Sequence, residues 1–382
     1  MKKRLIIFIL AILTIPTVAF SKINVTVDMT PINFDVEPKI LNNRTMVPMR
    51  AIFDALNADI SWDDSTKTVT ATKDSITIKT TIGSKEISIN GKTKQIDTAP
   101  VIENSRTLVP IRFISESLGC RVSWDDNSKT VSVISNDLLQ VHFIDVGQAD
   151  SILLTKGDDA ILIDGGNRAD DETVYSYINN QGVDSLDYVF CTHGHEDHVG
   201  GLSYILENVK TDIVISDDNY DSKTFKKFIS TANTKNIPIK EPNVYDTFSF
   251  NECTLEIVAP LSDNYSDYND NSIVLRLTYD NTSFLFMGDA GFESESEILN
   301  AGINIDSDVL KVGHHGSRTA SSKEFLSAVS PDIAVISCGR DNSYGHPHEE
   351  TLSTLNSLSI PYYRTDELGS IIISSNGNKL LY

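Results

Sequence analysis

Cysteine and positive charge are both scarce in this sequence. The four cysteines are widely scattered, and none forms a Cys-x-x-Cys pair. A disulfide framework is typical of small secreted domains without a large core, so a chain of 382 residues favours free, buried thiols. The chain has 32 Lys and Arg against 53 Asp and Glu, a formal net charge of -21. This charge opposes nonspecific attraction to nucleic acid phosphates, although a bound cation can dominate the field at one site.

Long apolar runs are also lacking, with a single exception at residues 5–20. Lys2, Lys3 and Arg4 precede this run, which is short for a membrane span. The pattern predicts a signal peptide at residues 1–21, cleaved before Lys22; the alternative is a retained N-terminal anchor. No second run of spanning length follows. The mature protein is therefore expected to be soluble and secreted, without a membrane span.

Histidine is absent from one long stretch, residues 199–288, and clustered elsewhere. Seven of the eight histidines lie in three short clusters, all in the second half of the chain. The eighth, His142, lies in an apolar strand, where a partly buried histidine is commonly structural. The histidines of these three clusters are therefore the first candidates for catalytic or metal-binding residues.

Two stretches of the N-terminal third are copies of one another. The segment "NRTMVPMRAIFDALNADISWDD" is repeated as "SRTLVPIRFISESLGCRVSWDD", with Arg44 matching Arg106 at a constant offset of 62 residues. Each copy predicts a helix that starts at Pro48 or Pro110, followed by a hairpin of two strands. An Asn-Gly pair between the copies predicts a further hairpin.

This repeated Arg-Thr-hydrophobic-Val-Pro pattern, followed by a helix and Trp-Asp, resembles the stalk domain related to the N-terminal domain of copper amine oxidases. The resemblance covers residues 24–135 and implies a small duplicated α+β domain at residues 22–137. Such a stalk would attach the protein to the cell wall or present a partner domain. The alternative is a packing scaffold in which the arginines are structural hydrogen-bond donors. The segment has no histidine or cysteine cluster for copper.

The loop "CTHGHEDHVGG" carries the strongest chemical signal in the second half of the chain. His193 and His195 are separated by one residue, so in an extended loop both fall on one side and can bind one cation. Asp197 and His198 follow as the chain enters a predicted helix, facing a second position. The spacing predicts two cations, an arrangement that can hold a bridging hydroxide as nucleophile.

Further candidate ligands stand at the ends of predicted strands. Asp289 in "FLFMGDA" is a candidate bridge between two cations, and His314 and His315 in "LKVGHHGS" are candidate ligands. Asp145 and Asp164 end two earlier strands, where a buried carboxylate is costly unless it orients a ligand histidine.

Eight motifs, in order, resemble the metallo-β-lactamase fold, and more narrowly the hydrolase domain of ComEC-like competence proteins and their free-standing secreted relatives: "FIDVGQADSILL", "ILIDGG", "THGHEDHVGG", "NDNSIVLRL", "FLFMGDA", "LKVGHHGSRT", "YGHPH" and "YRTDELGSIII". The resemblance implies an α/β fold, an αββα sandwich at residues 138–382. It also implies two divalent cations with these ligands: His193 and His195 on the first, Asp197 and His198 on the second, Asp289 bridging, and His314 or His315 completing the second.

One feature departs from the fold's usual pattern, because no histidine lies between the HxHxDH loop and Asp289. The corresponding stretch, "YNDNSIVLRL", places Asn269 or Asn271 near the metal instead. An amide oxygen is a poorer zinc ligand than imidazole, so zinc is favoured but manganese is possible. On the rim, His346 is a candidate substrate-binding group or general acid, and Ser317 and Arg318 are candidate anion contacts. Asn271 is a further candidate substrate-binding residue.

These patterns predict a secreted or cell-wall-associated, metal-dependent hydrolase of phosphodiester bonds, in nucleic acid or in the cell wall. A metal-bound hydroxide would attack phosphorus, with Asp197 or Asp289 orienting it and a nearby histidine, such as His346, or water protonating the leaving oxygen. Hydrolysis of a β-lactam, lactone or thioester by the same hydroxide is an alternative. A second alternative is a non-catalytic wall-binding protein that acts through its stalk. The sequence predicts no oligomeric state.

Overall fold

The computed structural model describes residues 22–73, 75–217, 220–262 and 264–382. The predicted signal peptide, residues 1–21, lies outside these ranges. Among the residues described, no helix is long and apolar enough to span a membrane. The four cysteines are buried and unpaired, as their spacing predicts.

The N-terminal unit is built from short strands and two one-to-two-turn helices, counted over the described residues. Its elements are β1 (Asn24–Val27), β2 (Thr30–Pro31), β3 (Lys39–Leu41), β4 (Arg44–Pro48), α1 (Met49–Ala55), β5 (Asp59–Asp63), β6 (Thr68–Lys73), β7 (Ile76–Thr81), β8 (Glu86–Ile89), β9 (Lys92–Gln95), β10 (Val101–Glu103), β11 (Arg106–Pro110), α2 (Ile111–Ser117), β12 (Arg121–Asp125) and β13 (Thr130–Ile134).

The duplication is visible in the pairing of these strands. β4 and β11 pair antiparallel with Val47 directly opposite Val109, which are equivalent positions of the two copies. A local two-fold axis therefore passes between the copies at this pair. Pro48 and Pro110 end their strands, and each helix begins one residue later than the sequence predicts. β1 pairs in parallel with β13, so the first strand of the unit extends the sheet of the second copy.

The C-terminal unit contains the remaining elements. They are β14 (Leu139–Phe143), β15 (Ile152–Lys156), β16 (Asp159–Ile163), α3 (Asp171–Asn180), β17 (Ser185–Phe190), α4 (Glu196–Val199), α5 (Leu202–Asn208), β18 (Lys210–Ile215), α6 (Lys223–Thr234), β19 (Ile239–Lys240), β20 (Thr247–Phe250), β21 (Cys253–Ala259), β22 (Val274–Tyr279), β23 (Thr282–Phe286), α7 (Phe292–Ala301), β24 (Val309–Lys311), α8 (Lys323–Val329), β25 (Ile333–Ile336), α9 (Glu349–Ser357), β26 (Tyr362–Arg364), α10 (Thr365–Leu368), β27 (Ile371–Ser375) and β28 (Leu380–Leu381).

Two sheets form the middle of this unit, in the orders β19-β18-β17-β16-β15-β14-β27-β28 and β20-β21-β22-β23-β24-β25-β26. An apolar core lies between them, with Val141 and Phe143 from one sheet and Leu275 and Phe286 from the other. Further cores join α3, α5 and α6 to the first sheet and α7, α8 and α9 to the second. Strands of a sheet that is covered on both faces consist of continuous runs of apolar residues, and these strands follow that pattern. The predicted αββα sandwich after a duplicated α+β unit is confirmed; the domain limits at residues 137 and 138 stay a prediction.

The parallel strands bring the chemical residues to one edge of the sandwich. β16, β17 and β18 run parallel in the first sheet, and β23, β24 and β25 run parallel in the second. The HxHxDH loop follows β17, Asp289 follows β23 and the His314–His315 pair follows β24. Because the carboxyl ends of parallel strands lie at the same edge, residues far apart in sequence meet there.

Candidate metal centre

The HxHxDH loop is anchored by a carboxylate behind it. Asp164, at the end of β16, accepts hydrogen bonds from the Thr192 backbone N–H at 2.8 Å and from the Thr192 hydroxyl at 2.7 Å. An oxygen of the same carboxylate lies 2.8 Å from Nδ1 of His198. Nδ1 therefore donates to Asp164, which leaves Nε2 of His198 free to face the interior of the site. Asp164 lies where the sequence predicts it, behind a histidine of the loop.

Four side chains, three of them buried and the fourth half-buried, form a compact cluster in front of this loop. The ligating atoms of Asp197, His198, Asp289 and His315 all lie within 4.8 Å of one another. Nε2 of His315 is 3.3 Å from Oδ2 of Asp197 and 3.4 Å from Oδ1 of Asp289. Nε2 of His198 is 3.3 Å from the same Asp289 oxygen. Two imidazole nitrogens and two carboxylates at this spacing suit a divalent cation.

The cluster also contains buried polar atoms without a hydrogen bond. These atoms are Nε2 of His198, Nε2 of His315 and Oδ1 of Asp289. Buried polar groups in folded proteins are almost always hydrogen-bonded. These three neighbouring atoms therefore need a partner that the protein itself does not supply. A divalent cation would satisfy all three atoms at once, and the residues present therefore fit a metal.

A second set of contacts uses the other oxygen of Asp289. Oδ2 of Asp289 lies 3.9 Å from Nε2 of His193 and 3.8 Å from Nε2 of His314. Nε2 of His193 is in turn 2.9 Å from Nδ1 of His195. The Ser272 hydroxyl lies 3.3 Å from Nδ1 of His193 and accepts a hydrogen bond from the backbone N–H of Asp289. The two oxygens of Asp289 thus face two different groups of histidines.

The charges in this centre are strongly coupled. Burial alone would lower the pKa of His198, but the carboxylates of Asp289 and Asp164 outweigh it and raise that pKa well above its usual value. Burial would raise the pKa of Asp289, but His315 and His198 outweigh it and hold that pKa well below its usual value. Without a cation, the carboxylates therefore favour the protonated form of His198, whereas burial lowers the pKa of His193 well below its usual value. Cation binding would displace the proton of His198.

Comparison with known families identifies this arrangement. The profile described as "Metallo-beta-lactamase superfamily" matches residues 144–340, more than half of the chain. The chain belongs to the metallo-β-lactamase superfamily. The profile "Copper amine oxidase N-terminal domain" matches residues 26–133. Both resemblances expected from the sequence are confirmed, and the metallo-β-lactamase fold is that of metal-dependent hydrolases.

The curated relatives include competence proteins. The chain is 29% identical over 251 residues to "ComE operon protein 3" of Bacillus subtilis (strain 168), covering 61% of this chain and 32% of that protein. It is 29% identical over 237 residues to "Competence protein ComA" of Neisseria gonorrhoeae, covering 59% and 31%. This chain spans less than a third of the length of these relatives. Among solved structures, the metallo-beta-lactamase fold protein YhfI from Bacillus subtilis aligns with 63% of this chain and 100% of its own, at 11% identity and a TM-score of 0.44.

The prediction that Asp145 supports a ligand histidine is wrong. Asp145 is exposed, and its carboxylate accepts a hydrogen bond from the backbone N–H of Gly147. The carboxylate that reaches the metallo-β-lactamase centre is Asp150, five residues later, which lies 3.5 Å from Nδ1 of His315. Asp150 also forms a fully buried ion pair with Lys311 on β24. The sequence does contain an indication of this partner. Lys311 lies inside the apolar segment "DVLKVGHHGS", and a buried lysine needs a carboxylate nearby.

The rim residues are only partly placed as the sequence predicts. Ser317 is 4% exposed and its hydroxyl is hydrogen-bonded to Thr319 in its own loop, so its contact with substrate stays a prediction. Arg318 is exposed beside His348, and its Nη1 lies 3.6 Å from a carboxylate oxygen of Glu350. The amide of Asn271 donates to the Tyr268 backbone oxygen, and the hydroxyl of Ser272 in this segment contacts His193 of the centre. No sequence motif distinguished Ser272 from its neighbours.

His346 is held at the rim by an oriented glutamine. The backbone N–H of Gly339 donates to Oε1 of Gln148 at 3.0 Å, which fixes the amide and turns its Nε2 towards His346. Nε2 of Gln148 lies 3.2 Å from Nδ1 of His346 and donates to it. The proton of the neutral ring is therefore on Nε2. Burial and the neighbouring histidines lower the pKa of His346 to about 4, so the ring is neutral at pH 7.

Sequence reasoning missed an aromatic wall beside His195. The rings of Tyr220 and Tyr268 lie 5.4 Å and 5.5 Å from the His195 ring, and 4.4 Å from each other. Gly194 makes this possible, because a Cβ at that position would come within 2.1 Å of the Tyr220 ring. The glycine between the two histidines of His-Gly-His is the sequence feature that indicates such a wall, since a glycine permits close approach of another group.

Proposed function

We propose that this protein hydrolyses phosphodiester bonds, using two divalent cations at the edge of its metallo-β-lactamase domain. Zinc is the favoured metal and manganese the alternative. The observation that carries the proposal is the placement of Asp289, whose two oxygens face separate groups of histidines at 3.3 to 3.9 Å. Two-cation sites of this kind are used for in-line displacement at phosphorus.

Bound cations would supply Lewis acidity and lower the pKa of water at the site. Both carboxylates of the centre, Asp197 and Asp289, are candidates to orient the attacking water. The side chain of Asp197 is 30% exposed, whereas that of Asp289 is 3% exposed and faces histidines with both oxygens. Asp197 is the carboxylate that water can reach, so we assign the orienting role to Asp197.

On the substrate side, we assign hydrogen bonding to a phosphoryl oxygen to His346. Its Nε2–H is the free donor, because Gln148 already occupies Nδ1. A ring that is neutral at pH 7 binds an oxygen but does not protonate a leaving group, so the general-acid alternative is disfavoured. The guanidinium of Arg318 lies on the same rim, 3.6 Å from Glu350, so it would contact a second phosphate by exchanging that carboxylate for the phosphate.

The aromatic wall favours nucleic acid over an aliphatic wall polymer. Tyr220 and Tyr268 stand next to His195, where a base flanking the reacting phosphate can stack. Stacking on unpaired bases contributes about 1–3 kcal/mol each and requires a single strand. We therefore expect single-stranded DNA or RNA to be hydrolysed better than a duplex.

The test is a substrate panel with purified protein loaded with zinc or manganese. The panel compares a chromogenic bis-aryl phosphodiester, single-stranded and double-stranded DNA, a polyglycerol-phosphate polymer and a chromogenic cephalosporin. We expect turnover of the phosphodiester and of single-stranded DNA. Turnover of the cephalosporin alone would instead support the β-lactam, lactone or thioester alternative, which uses the same fold.

Replacing Gln148 with leucine should lower kcat/KM for the phosphodiester while leaving cation content nearly unchanged. The leucine cannot hold Nδ1 of His346, so the ring loses its fixed tautomer and orientation. Loss of an orienting partner of this kind costs about 10–100-fold. Steady-state kinetics measure the effect, with Gln95→Leu in the N-terminal unit as the matched control. An unchanged kcat/KM would remove Gln148 and His346 from the proposed machinery.

A separate observation supports binding to the cell wall by the N-terminal unit. Two grooves lie at equivalent places of the duplication, with volumes of about 1140 Å³ and 770 Å³. Each combines an exposed tryptophan and an arginine from one copy with an isoleucine and an arginine from the other: Trp124, Arg112, Ile40 and Arg44 in the first, and Trp62, Arg50, Ile102 and Arg106 in the second. Paired equivalent grooves suit a repeating polymer, since two bound units share one chain. We therefore propose a secreted, wall-associated protein.

The double variant Trp62→Ala/Trp124→Ala should bind isolated Gram-positive cell walls more than 10-fold more weakly than the unchanged chain. Truncating a central aromatic residue of a binding surface costs about 2 kcal/mol, and two grooves act on one polymer. Cosedimentation with isolated walls measures binding, and Tyr245→Ala, at an exposed tyrosine of the other unit, is the matched control. Equal binding by all three proteins would refute this role of the grooves.

A further inference from the structure

We propose that His314 supplies the third imidazole of the first cation site, whereas His315 belongs to the second site. The two adjacent histidines of "LKVGHHGS" would then serve different cations. Residues 199–288 contain no histidine, so the pair His193 and His195 lacks a third imidazole from that part of the chain. The assignment rests on the proposed two-cation centre, but it is independent of which ester that centre opens.

The two histidines approach opposite oxygens of one carboxylate. Nε2 of His314 lies 3.8 Å from Oδ2 of Asp289, the oxygen that also faces His193 at 3.9 Å. Nε2 of His315 lies 3.4 Å from Oδ1, the oxygen that faces His198 at 3.3 Å. His314 is thus on the His193 side of Asp289, and His315 is on the His198 side.

The backbone holds this divergence in place. His314 and His315 have φ values of 48° and 53°, so both are left-handed although neither is glycine. A left-handed backbone is unfavourable for residues other than glycine, and strain of this kind persists where the surrounding structure requires it. The backbone N–H of His314 donates to the carbonyl of Gly288, one residue before the shared carboxylate. The turn is therefore tied directly to Asp289.

Each ring is also oriented from behind through its Nδ1 atom. Nδ1 of His314 lies 3.3 Å from the Thr319 hydroxyl, and Nδ1 of His315 lies 3.0 Å from the Ser337 carbonyl. Both contacts leave Nε2 as the atom that faces Asp289. Partners of this type fix which nitrogen of a histidine binds a metal.

The two sites differ in compactness, which implies an order of loading. The second-site ligands all lie within 4.8 Å of one another, whereas the first-site atoms form a chain from His195 through His193 and Asp289 to His314. The side chain of His314 is 22% exposed, against 2% for His315. The second site therefore binds a cation tightly and first, and the first site binds more weakly and closes around its cation through His314.

The test counts cations rather than turnover. Metal-free protein is titrated with zinc by calorimetry, and bound zinc per chain is measured by mass spectrometry after desalting. We expect two sites in the unchanged chain and in His348→Ala, the matched histidine control. His314→Ala should keep the tight site and lose the weak one, whereas His315→Ala should lose the tight site.

A milder variant keeps the histidine itself. Thr319→Val leaves the His314 ring in place but removes its orienting hydroxyl, so the weak site should lose about 10–100-fold in affinity while the tight site is unchanged. Two unchanged sites in His314→Ala, or loss of the tight site in that variant, would overturn the assignment. Two sites with the expected losses but no phosphodiester turnover would uphold it and refute only the proposed substrate.

Discussion

Asp289→Ala is expected to lower kcat/KM for a phosphodiester by about 10³-fold or more and to weaken cation binding at both sites. Removing one group that stabilises charge in a transition state typically costs about 10²–10³ in kcat. Asp289 faces both groups of histidines, through Oδ1 and Oδ2, so its loss acts on two sites at once. Steady-state kinetics and zinc titration of the same preparation measure the two effects together.

A matched control for this variant is available in the same domain. Asp145→Ala removes an aspartate that also follows a strand, but Asp145 is exposed and contacts Gly147 rather than a histidine. Its kinetics and zinc content should equal those of the unchanged chain. Circular dichroism of both variants without metal separates loss of ligands from loss of fold. An Asp289→Ala protein that keeps two zinc ions and its turnover would contradict the bridging position.

Asp150→Ala is expected to lower the free energy of unfolding by about 3–5 kcal/mol. The variant leaves the ammonium group of Lys311 buried without a carboxylate, and an uncompensated buried charge carries a cost of that size. Both side chains are at most 2% exposed, so water cannot replace the lost partner. Nδ1 of His315 also loses a neighbour at 3.5 Å, so the second cation should bind more weakly. Urea denaturation of metal-free protein measures the stability.

Two comparisons separate the charge effect from simple loss of packing. The double variant Asp150→Leu/Lys311→Met removes both charges, and replacing a buried pair by apolar groups is often neutral, so most of the stability should return. Asp246→Ala breaks the ion pair with Lys240, whose side chain is 47% exposed, and such pairs contribute about 1 kcal/mol or less. If Asp150→Ala is no worse than Asp246→Ala, the buried ion pair does not have the role assigned to it.

The metal-binding loop and its fold could be predicted because the signals are local or repeated. His193, His195, Asp197 and His198 are close in sequence, and the structure places all four at one strand end. The 62-residue repeat likewise predicts a duplicated unit before any contact is known, and the register of Val47 against Val109 shows its two-fold arrangement.

The site predictions that failed concern contacts that depend on how the chain turns between strands. Asp145 and Asp150 both lie between β14 and β15, and a rule about strand ends cannot say which of them faces inward. Asp150 is the one that faces inward, because it forms an ion pair with Lys311, which lies in the other sheet. The different directions of His314 and His315 similarly depend on two left-handed residues in succession, which their side-chain types do not predict.

The metal dependence of phosphodiester hydrolysis tests the central claim most directly. Protein is stripped of metal with a chelator, its metal content is verified, and hydrolysis of the bis-aryl phosphodiester is followed as zinc or manganese is added back. We predict no turnover without metal and recovery as the weaker of two sites fills. Turnover that persists in the stripped protein, or that is fully restored by a single bound cation, would contradict a two-cation centre at Asp289.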